Sequence, residues 1–297
     1  MSLVMDYVLH LMANPILFKP PPRQTACKFP GDPKNASVRA LSGDEIHCQL
    51  TCPWDSCSNI HNYIPTKKML LYLHRNNEYI QTSTSYRQWI ANNTNLNILT
   101  CDYPGYGFST GDPSEAGMHH AALAMLDLAT SRLKQTPADI IVIGKSIGST
   151  PAIGLAVNSY CQDLCGLILL SPVASGVRCL SLSTRLPQYI VAQLDSLVLP
   201  NIKHIAQVRC PIQFVHGLQD DVVSNSHALI KTYAKKLYTA PLFVDAGHND
   251  IESRHTATFL SVIRDFIANC VHSENGSHGA LRHTPELFMK HKGLLNN

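Results

Sequence analysis

A serine between two glycines is the residue of this sequence best suited to act as a nucleophile. The pentapeptide Gly144-Lys145-Ser146-Ile147-Gly148 follows the apolar run "DIIVI" and precedes the helix-like segment "IGSTPAIGLAV". A strand, a sharp turn and a helix form the setting of a nucleophile elbow, in which the serine hydroxyl stands above a sheet. We expect no room for a Cβ at Gly144 or Gly148. Because such pentapeptides also occur by chance, Ser146 as an ordinary turn residue is the alternative.

The second requirement is a base that takes the serine proton and a carboxylate that orients the base. Asp220 follows the apolar run "IQFVHG", and His248 follows the next run, "PLFVDAG". The chain order Ser, Asp, His is that of the α/β-hydrolases. We therefore predict Ser146 as nucleophile, Asp220 as acid and His248 as base, with Asp221 as the rival acid. A helix cap at Asp220 and a surface histidine at His248 are the structural alternatives.

The developing oxyanion requires donors that already point at it. Ile147 lies at the start of the expected helix, where backbone N–H groups have no partner within the helix. Its N–H is therefore our first candidate donor. Lys145, the other neighbour of the serine, either favours an anionic substrate or faces solvent, and the sequence does not decide between these two roles.

The elements that must position these residues are short strands and helices in alternation. Helix-length segments such as 114–134 and 224–237 separate most of the apolar runs, which predicts a mostly parallel, doubly wound α/β sheet. The polar and apolar alternation from about residue 37 predicts an antiparallel hairpin around Ser42 to Asp44. The long connection at about 173–208 predicts a small helical cap. The runs that we read as strands buried on both faces are "KMLLYLH", "LNILTCD", "DIIVIG", "GLILLS", "IQFVHG" and "PLFVDAG".

The chain divides into three parts by composition. Its 297 residues, 45% of them hydrophobic, suffice for one large domain, which we place at 37–271. Residues 1–36 are expected to form an amphipathic helix and a linker, and 272–297 a weakly ordered tail. Polar residues recur every fourth position within 1–18, so this helix lies either on a membrane or on the domain's own surface. Pro15 interrupts it before the roughly 20 residues needed to span a bilayer.

Charge and cysteine usage argue against several classes of function. The 24 basic and 21 acidic residues give a net charge of +3 without a long run of one sign, so we expect no nucleic-acid partner. The N-terminus lacks the pattern of a secretory signal, which predicts a cytoplasmic protein with reduced thiols. Poor spacing argues against a metal site, and we expect no cofactor, although potential ligands crowd together at His47, Cys48, Cys52, Cys57 and His61.

Several segments together resemble the α/β-hydrolase domain-containing protein 17 family over about residues 66 to 270. They are "CDYPGYGFSTG", "GKSIGS", "LLSPVASGVR", "VHGLQDDVV" and "DAGHNDIE". Members of this family remove palmitate from cysteines of membrane-associated proteins. The resemblance implies an α/β-hydrolase fold, the triad named above and an S-acylated protein as substrate. A general carboxylesterase or monoacylglycerol-type lipase is the alternative, and a non-catalytic binding protein is the second.

The sequence departs from the family in two places. The family has His-Gly-Asn after the third strand, where this chain has His74-Arg75-Asn76. By position Asn76 is the second oxyanion donor, while Arg75 either distorts the loop or supplies positive charge itself. We expect distortion, and hence a modest gain in turnover on Arg75→Gly. The family's acylated N-terminal cysteines are also missing, since the first cysteine here is Cys27.

Overall fold

A mixed sheet forms the centre of the molecule. The computed structural model describes residues 17–22, 32–57, 59–60, 68–161, 163–179, 187–223 and 240–272. Within these residues the sheet has eight strands in the order β1-β2-β4-β3-β5-β6-β7-β8. The strands are β1 Asn35–Arg39, β2 Glu45–Thr51, β3 Met69–Leu73, β4 Asn97–Cys101, β5 Ile140–Lys145, β6 Gly166–Leu170, β7 Ile212–Gly217 and β8 Leu242–Val244.

Strand pairing confirms the predicted topology. β1 and β2 form the predicted antiparallel hairpin, and β2 pairs antiparallel with β4. All pairs from β4 through β3, β5, β6 and β7 to β8 are parallel. The sheet begins at Asn35, two residues before the start that we expected for the domain. All six apolar runs became strands because both faces of the sheet are covered.

Helices pack on both faces of the sheet, as predicted for a doubly wound fold. The core on one face includes residues of α2 and α3, and the core on the other includes residues of α1 and α7. The helices are α1 Thr84–Thr94, α2 Glu115–Asp127, α3 Ser149–Val157, α4 Gln188–Leu194, α5 Asn201–His204, α6 Ile251–Arg254 and α7 Thr256–His272. The helix predicted at 224–237 lies outside the described residues.

The connection between β6 and β7 contains the helices expected of the cap. A helical stretch begins at residue 176, and α4 and α5 follow, while 180–186 lie outside the described residues. Asp195 ties these pieces together. Its Oδ1 accepts a hydrogen bond from Ser175 Oγ at 2.6 Å, and its Oδ2 accepts one from Arg178 Nη2 at 2.6 Å. Arg178 Nε also donates to Oδ1 at 3.0 Å, so a bidentate ion pair folds the connection on itself.

The two ends of the chain are described only in part. Most of the predicted amphipathic helix, residues 1–16, and the tail at 273–297 lie outside the described residues. Leu17 and Phe18 are buried in the core. No helix in the described part of the chain is long and apolar enough to cross a membrane.

One feature of the cysteines differs from the sequence-based expectation. Cys52 and Cys57 form a disulfide, with Cα atoms 5.6 Å apart, whereas we expected only reduced thiols. The short helical turn Pro53–Asp55 folds the chain back and brings the two residues within bridging distance. Composition alone could not show this approach.

Candidate active site

Ser146 lies in a strained turn between β5 and α3. β5 ends at Lys145, residues 146–148 form a single helical turn, and α3 begins at Ser149. The φ angle of Ser146 is +54°, a left-handed conformation that non-glycine residues rarely adopt. Such strain persists only where the surrounding structure holds it, and it is the backbone signature of a nucleophile elbow.

The two flanking glycines explain how the turn can be this tight. A Cβ on Gly144 would lie 2.7 Å from Ala152 Cβ and 2.8 Å from Ser149 Cα, both in α3. A Cβ on Gly148 would collide with the carbonyl of Leu73 at the end of β3. Only glycine therefore allows the strand, the turn and the helix to approach this closely.

Three side chains from separate loops form one hydrogen-bonded chain. His248 Nε2 lies 2.9 Å from Ser146 Oγ, and His248 Nδ1 lies 2.8 Å from Asp220 Oδ2. All three residues are buried, with exposed fractions of 5% to 8%. The structure thus brings together the three residues that the sequence indicated, in the geometry of a serine, a base and an orienting acid.

Asp220 is fixed by its own backbone neighbours. Its Oδ1 accepts hydrogen bonds from the N–H groups of Val222 at 2.9 Å and Val223 at 2.8 Å. Burial raises the pKa of Asp220, but its hydrogen bonds to His248 and to the Val223 N–H outweigh this effect. The pKa therefore lies below its ordinary value. The rival acid, Asp221, is exposed.

The hydrogen bonds define the proton positions that the chemistry requires. Ionised Asp220 can only accept, so the proton between it and His248 belongs to Nδ1. Nε2 then has a free lone pair and accepts from the hydroxyl of Ser146. This arrangement can take the serine proton while the hydroxyl oxygen attacks a carbonyl carbon.

The residues predicted for the oxyanion site have different surroundings. Ile147 is buried and lies in the first turn after β5, where its N–H has no acceptor within the helix. The side chain of Asn76 is already engaged, since Nδ2 donates to the carbonyl of Leu17 at 2.5 Å and Oδ1 accepts from Lys19 and Tyr106. Any contact of Asn76 with an oxyanion must therefore come from its backbone N–H.

Lys145 has neither of the two roles that the sequence left open. Its Nζ lies 2.6 Å from Glu252 Oε1 and 4.5 Å from the centroid of the Tyr86 ring, and only 8% of the side chain is exposed. Burial raises the pKa of Glu252, but the Lys145 charge outweighs this and holds it below the ordinary value. The positive charge of Lys145 is thus paired with Glu252 inside the protein.

A polar network behind the elbow was missed by sequence reasoning. Ser149 Oγ donates to the carbonyl of Ser146 at 2.6 Å and accepts from the Val173 N–H at 3.0 Å. Asn201 Nδ2 lies 3.1 Å from Thr150 Oγ1 and 2.7 Å from the Val173 carbonyl. No local pattern marks these residues, because the network joins α3 to the cap through contacts distant in sequence.

No group of three or more potential metal ligands is found within the described ranges, which exclude His61.

A cavity of about 260 Å³ lies between α2, α3 and α5 and is lined by His119, His204 and Glu115 among others. Its lining does not include the Ser146, Asp220 and His248 group, so it is separate from the candidate active site.

Several alpha/beta hydrolase domain-containing proteins are similar to this chain in sequence. Alpha/beta hydrolase domain-containing protein 17B of Xenopus laevis is 31% identical over 234 residues, which are 78% of this chain and 74% of the relative. The chain belongs to the alpha/beta hydrolase domain-containing protein 17 family. Another similar protein is aho-3 of Caenorhabditis elegans, 32% identical over 71% of this chain and 61% of its own length. Against protein 17C of Homo sapiens the identity is 32%, over 74% of this chain and 63% of the relative.

This chain spans 61% to 66% of the length of the first curated relatives that it matches, aho-3 and the two Xenopus 17C proteins. No family model matches the chain.

Solved structures confirm the fold of this family member. An esterase of Pyrococcus furiosus superposes with a TM-score of 0.63 at 15% identity, over 86% of this chain and 98% of the esterase. An alpha-beta hydrolase of Vibrio vulnificus gives 0.60 at 18% identity, over 88% and 94%. At such low identity these likenesses establish the α/β-hydrolase fold and nothing about the substrate.

Proposed function

We propose that this protein is a serine hydrolase that cleaves long-chain acyl thioesters, with palmitate on a cysteine of another protein as the substrate. The observation that carries the proposal is the chain of hydrogen bonds from Ser146 through His248 to Asp220. The resemblance to the protein 17 family supports the choice of an acylated cysteine. A triad alone does not distinguish a thioester from an oxygen ester, because both react in the same way.

In the proposed reaction Ser146 Oγ attacks the acyl carbonyl carbon while His248 Nε2 takes the hydroxyl proton. The Ile147 N–H and a donor from the loop after β3 stabilise the oxyanion. The intermediate collapses, the bond from carbon to sulfur breaks, and the cysteine sulfur leaves with the proton from His248. Water, deprotonated by the same nitrogen, then hydrolyses the acyl-enzyme and releases the fatty acid.

The first test addresses the nucleophile. A fluorophosphonate probe should label the protein, and Ser146→Ala or His248→Ala should abolish labelling at unchanged melting temperature. Ser131→Ala is the matched control and should label normally, because Ser131 is exposed in the π-helical segment Leu128–Arg132 and its hydroxyl donates to the Asp127 carbonyl. Undiminished labelling of Ser146→Ala would remove the proposed nucleophile. Complete lack of labelling and of ester hydrolysis in the parent would favour a non-catalytic binding protein.

The second test addresses the substrate. A peptide with a palmitoylated cysteine should be hydrolysed with a higher kcat/KM than the same peptide acylated on serine, or than a monoacylglycerol of equal chain length. Both rates are measured side by side on one preparation, with Ser146→Ala as the blank. A reversed preference would identify an esterase or a lipase instead.

A further inference from the structure

Leu17 and Lys19, which precede β1 in the chain, are hydrogen-bonded to the loop after β3. Asn76 Nδ2 donates to the Leu17 carbonyl at 2.5 Å, and the Lys19 N–H donates to Asn76 Oδ1 at 2.9 Å. One amide group thus pairs with an acceptor and a donor two residues apart, as a neighbouring strand would. The hydroxyl of Tyr106 also donates to Oδ1, at 2.8 Å, and this is the third hydrogen bond of the amide group.

This loop begins in contact with the elbow. A Cβ on Gly148 would collide with the carbonyl of Leu73 and lie 2.7 Å from the carbonyl oxygen of His74, so the loop and the Ser146 turn are separated by little more than the width of a glycine. The His74 carbonyl also accepts from the Tyr103 hydroxyl at 2.9 Å. The hydrogen bond from Tyr103 therefore holds the start of the loop, while the hydrogen bonds of the Asn76 side chain hold the residues that follow.

Burial in the core anchors Leu17 and Phe18 to the rest of the domain. Leu17 and Phe18 are 7% and 5% exposed and belong to the same core as Val173 and Val198. Leu17 Cδ1 lies so near the cap that a Cβ on Gly176 would be 3.0 Å from it. Residues 17–19 thus lie between the cap and the loop, with their backbone polar groups turned to Asn76.

We infer that Asn76 is a positioning residue, through which residues 17–19 hold the loop after β3 where its backbone can contact the oxyanion. The inference rests on the proposed function. It also changes the role assigned to Asn76 from the sequence, because the side chain serves the N-terminal segment. Residues 17–19 thereby act on the active site through Asn76.

The sharpest test removes a single N–H. Lys19 has an exposed side chain and precedes Pro20, so Lys19→Pro deletes the donor to Asn76 at a site where the next residue is already proline. Lys19→Ala keeps this N–H and is the matched control. We expect Lys19→Pro to lower kcat about tenfold or more on a short-chain ester, with little change in KM, because the donor acts in the transition state. Lys19→Ala should match the parent.

A second variant tests the other half of the contact. Asn76→Asp keeps the shape but replaces the donor to Leu17 with an oxygen, and should lower kcat at least as much. Asn35→Asp alters another buried amide, which accepts from Gln49 Nε2 in the β1 and β2 hairpin, and should leave kcat unchanged. A lower melting temperature with normal kcat in both Lys19→Pro and Asn76→Asp would reduce the contact to a structural role and overturn the inference.

Amide hydrogen exchange separates this inference from the proposed function. Residues 75–78 should exchange faster in Lys19→Pro than in Lys19→Ala, whether or not the parent hydrolyses esters. Without fluorophosphonate labelling of the parent the proposed function fails, and the exchange rates alone then decide whether the segment positions the loop. Equal exchange in the two variants, or equal kcat in an active protein, would overturn the inference.

Discussion

The guanidinium of Arg75 joins the loop after β3 to the loop that carries His248. Its Nη1 donates to Asn249 Oδ1 at 2.6 Å, and its Nε lies 3.5 Å from Glu78 Oε1. The sequence suggested that this residue either distorts the oxyanion loop or supplies charge to it. Its contacts indicate a third role, since Asn249 is the residue next to His248.

We now expect Arg75→Gly to lower kcat several-fold, rather than to raise it, because the loop of His248 loses a tether. Asn249→Ala should cause a similar loss, and the double variant should lose little more than either single one, since both remove the same contact. The measurement is kcat on one ester for the four proteins of this cycle. A gain in turnover for Arg75→Gly would restore the distortion hypothesis. Additive losses would show that Arg75 and Asn249 act independently and that their contact does not support turnover.

A buried ion pair joins β5 to α6. Lys145 ends the strand that leads to the nucleophile, and Glu252 lies in the first turn of the helix that follows His248. The Tyr86 hydroxyl of α1 also donates to Glu252 Oε1, at 2.9 Å. Three elements thus meet beneath the serine and the histidine.

Removal of one partner should be far more damaging than removal of both. Lys145→Met leaves an unpaired buried carboxylate and should lower the free energy of unfolding by about 3–5 kcal/mol, whereas adding Glu252→Leu should recover much of the loss. The exposed pair of Arg39 and Glu45 offers a control, since Arg39→Met should cost less than about 1 kcal/mol. Urea denaturation measures all of these. Equal stability of the single and double variants would contradict the assignment of a compensated buried pair.

For the whole molecule, histidines held neutral in the folded state determine how stability changes with pH. Burial lowers the pKa of His119 to about 4, with smaller effects of the neighbouring His204 and His120. The sequence carries no signal for this shift, because the cavity that His119 shares with Glu115 and His204 forms only when α2, α3 and α5 pack together. Burial also lowers the pKa of His74 and of His204.

Acid should therefore destabilise the protein well before its carboxylates are protonated. Between about pH 6.5 and pH 4 the unfolded chain binds a proton at His119 that the folded chain does not bind, so stability is lost as the pH falls through this window. His119→Gln should reduce the loss of unfolding free energy between pH 7 and pH 5 by about 1–2 kcal/mol. Denaturant titrations at the two pH values measure it. An unchanged difference would show that His119 is protonated in the folded protein.

Local sequence patterns sufficed to predict the fold class, all eight strands and the three loops that carry Ser146, Asp220 and His248. The physical reason is that a strand covered on both faces must be apolar along its length, and a tight turn must be glycine where a Cβ would collide. Both demands act on neighbouring residues, so they can be read locally. The order of the loops along the chain then implied that they meet at one edge of the sheet.

Long-range packing alone established which side chains face one another across large sequence separations. It selected Asp220 over Asp221, paired Lys145 with Glu252 across 107 residues, and joined Asn76 to Leu17 across 59. Such contacts depend on how whole elements pack, and a charged or amide side chain has several partners that are equally compatible with its local sequence. Burial then fixes one of these partners, because a polar group that is buried without a hydrogen bond costs free energy.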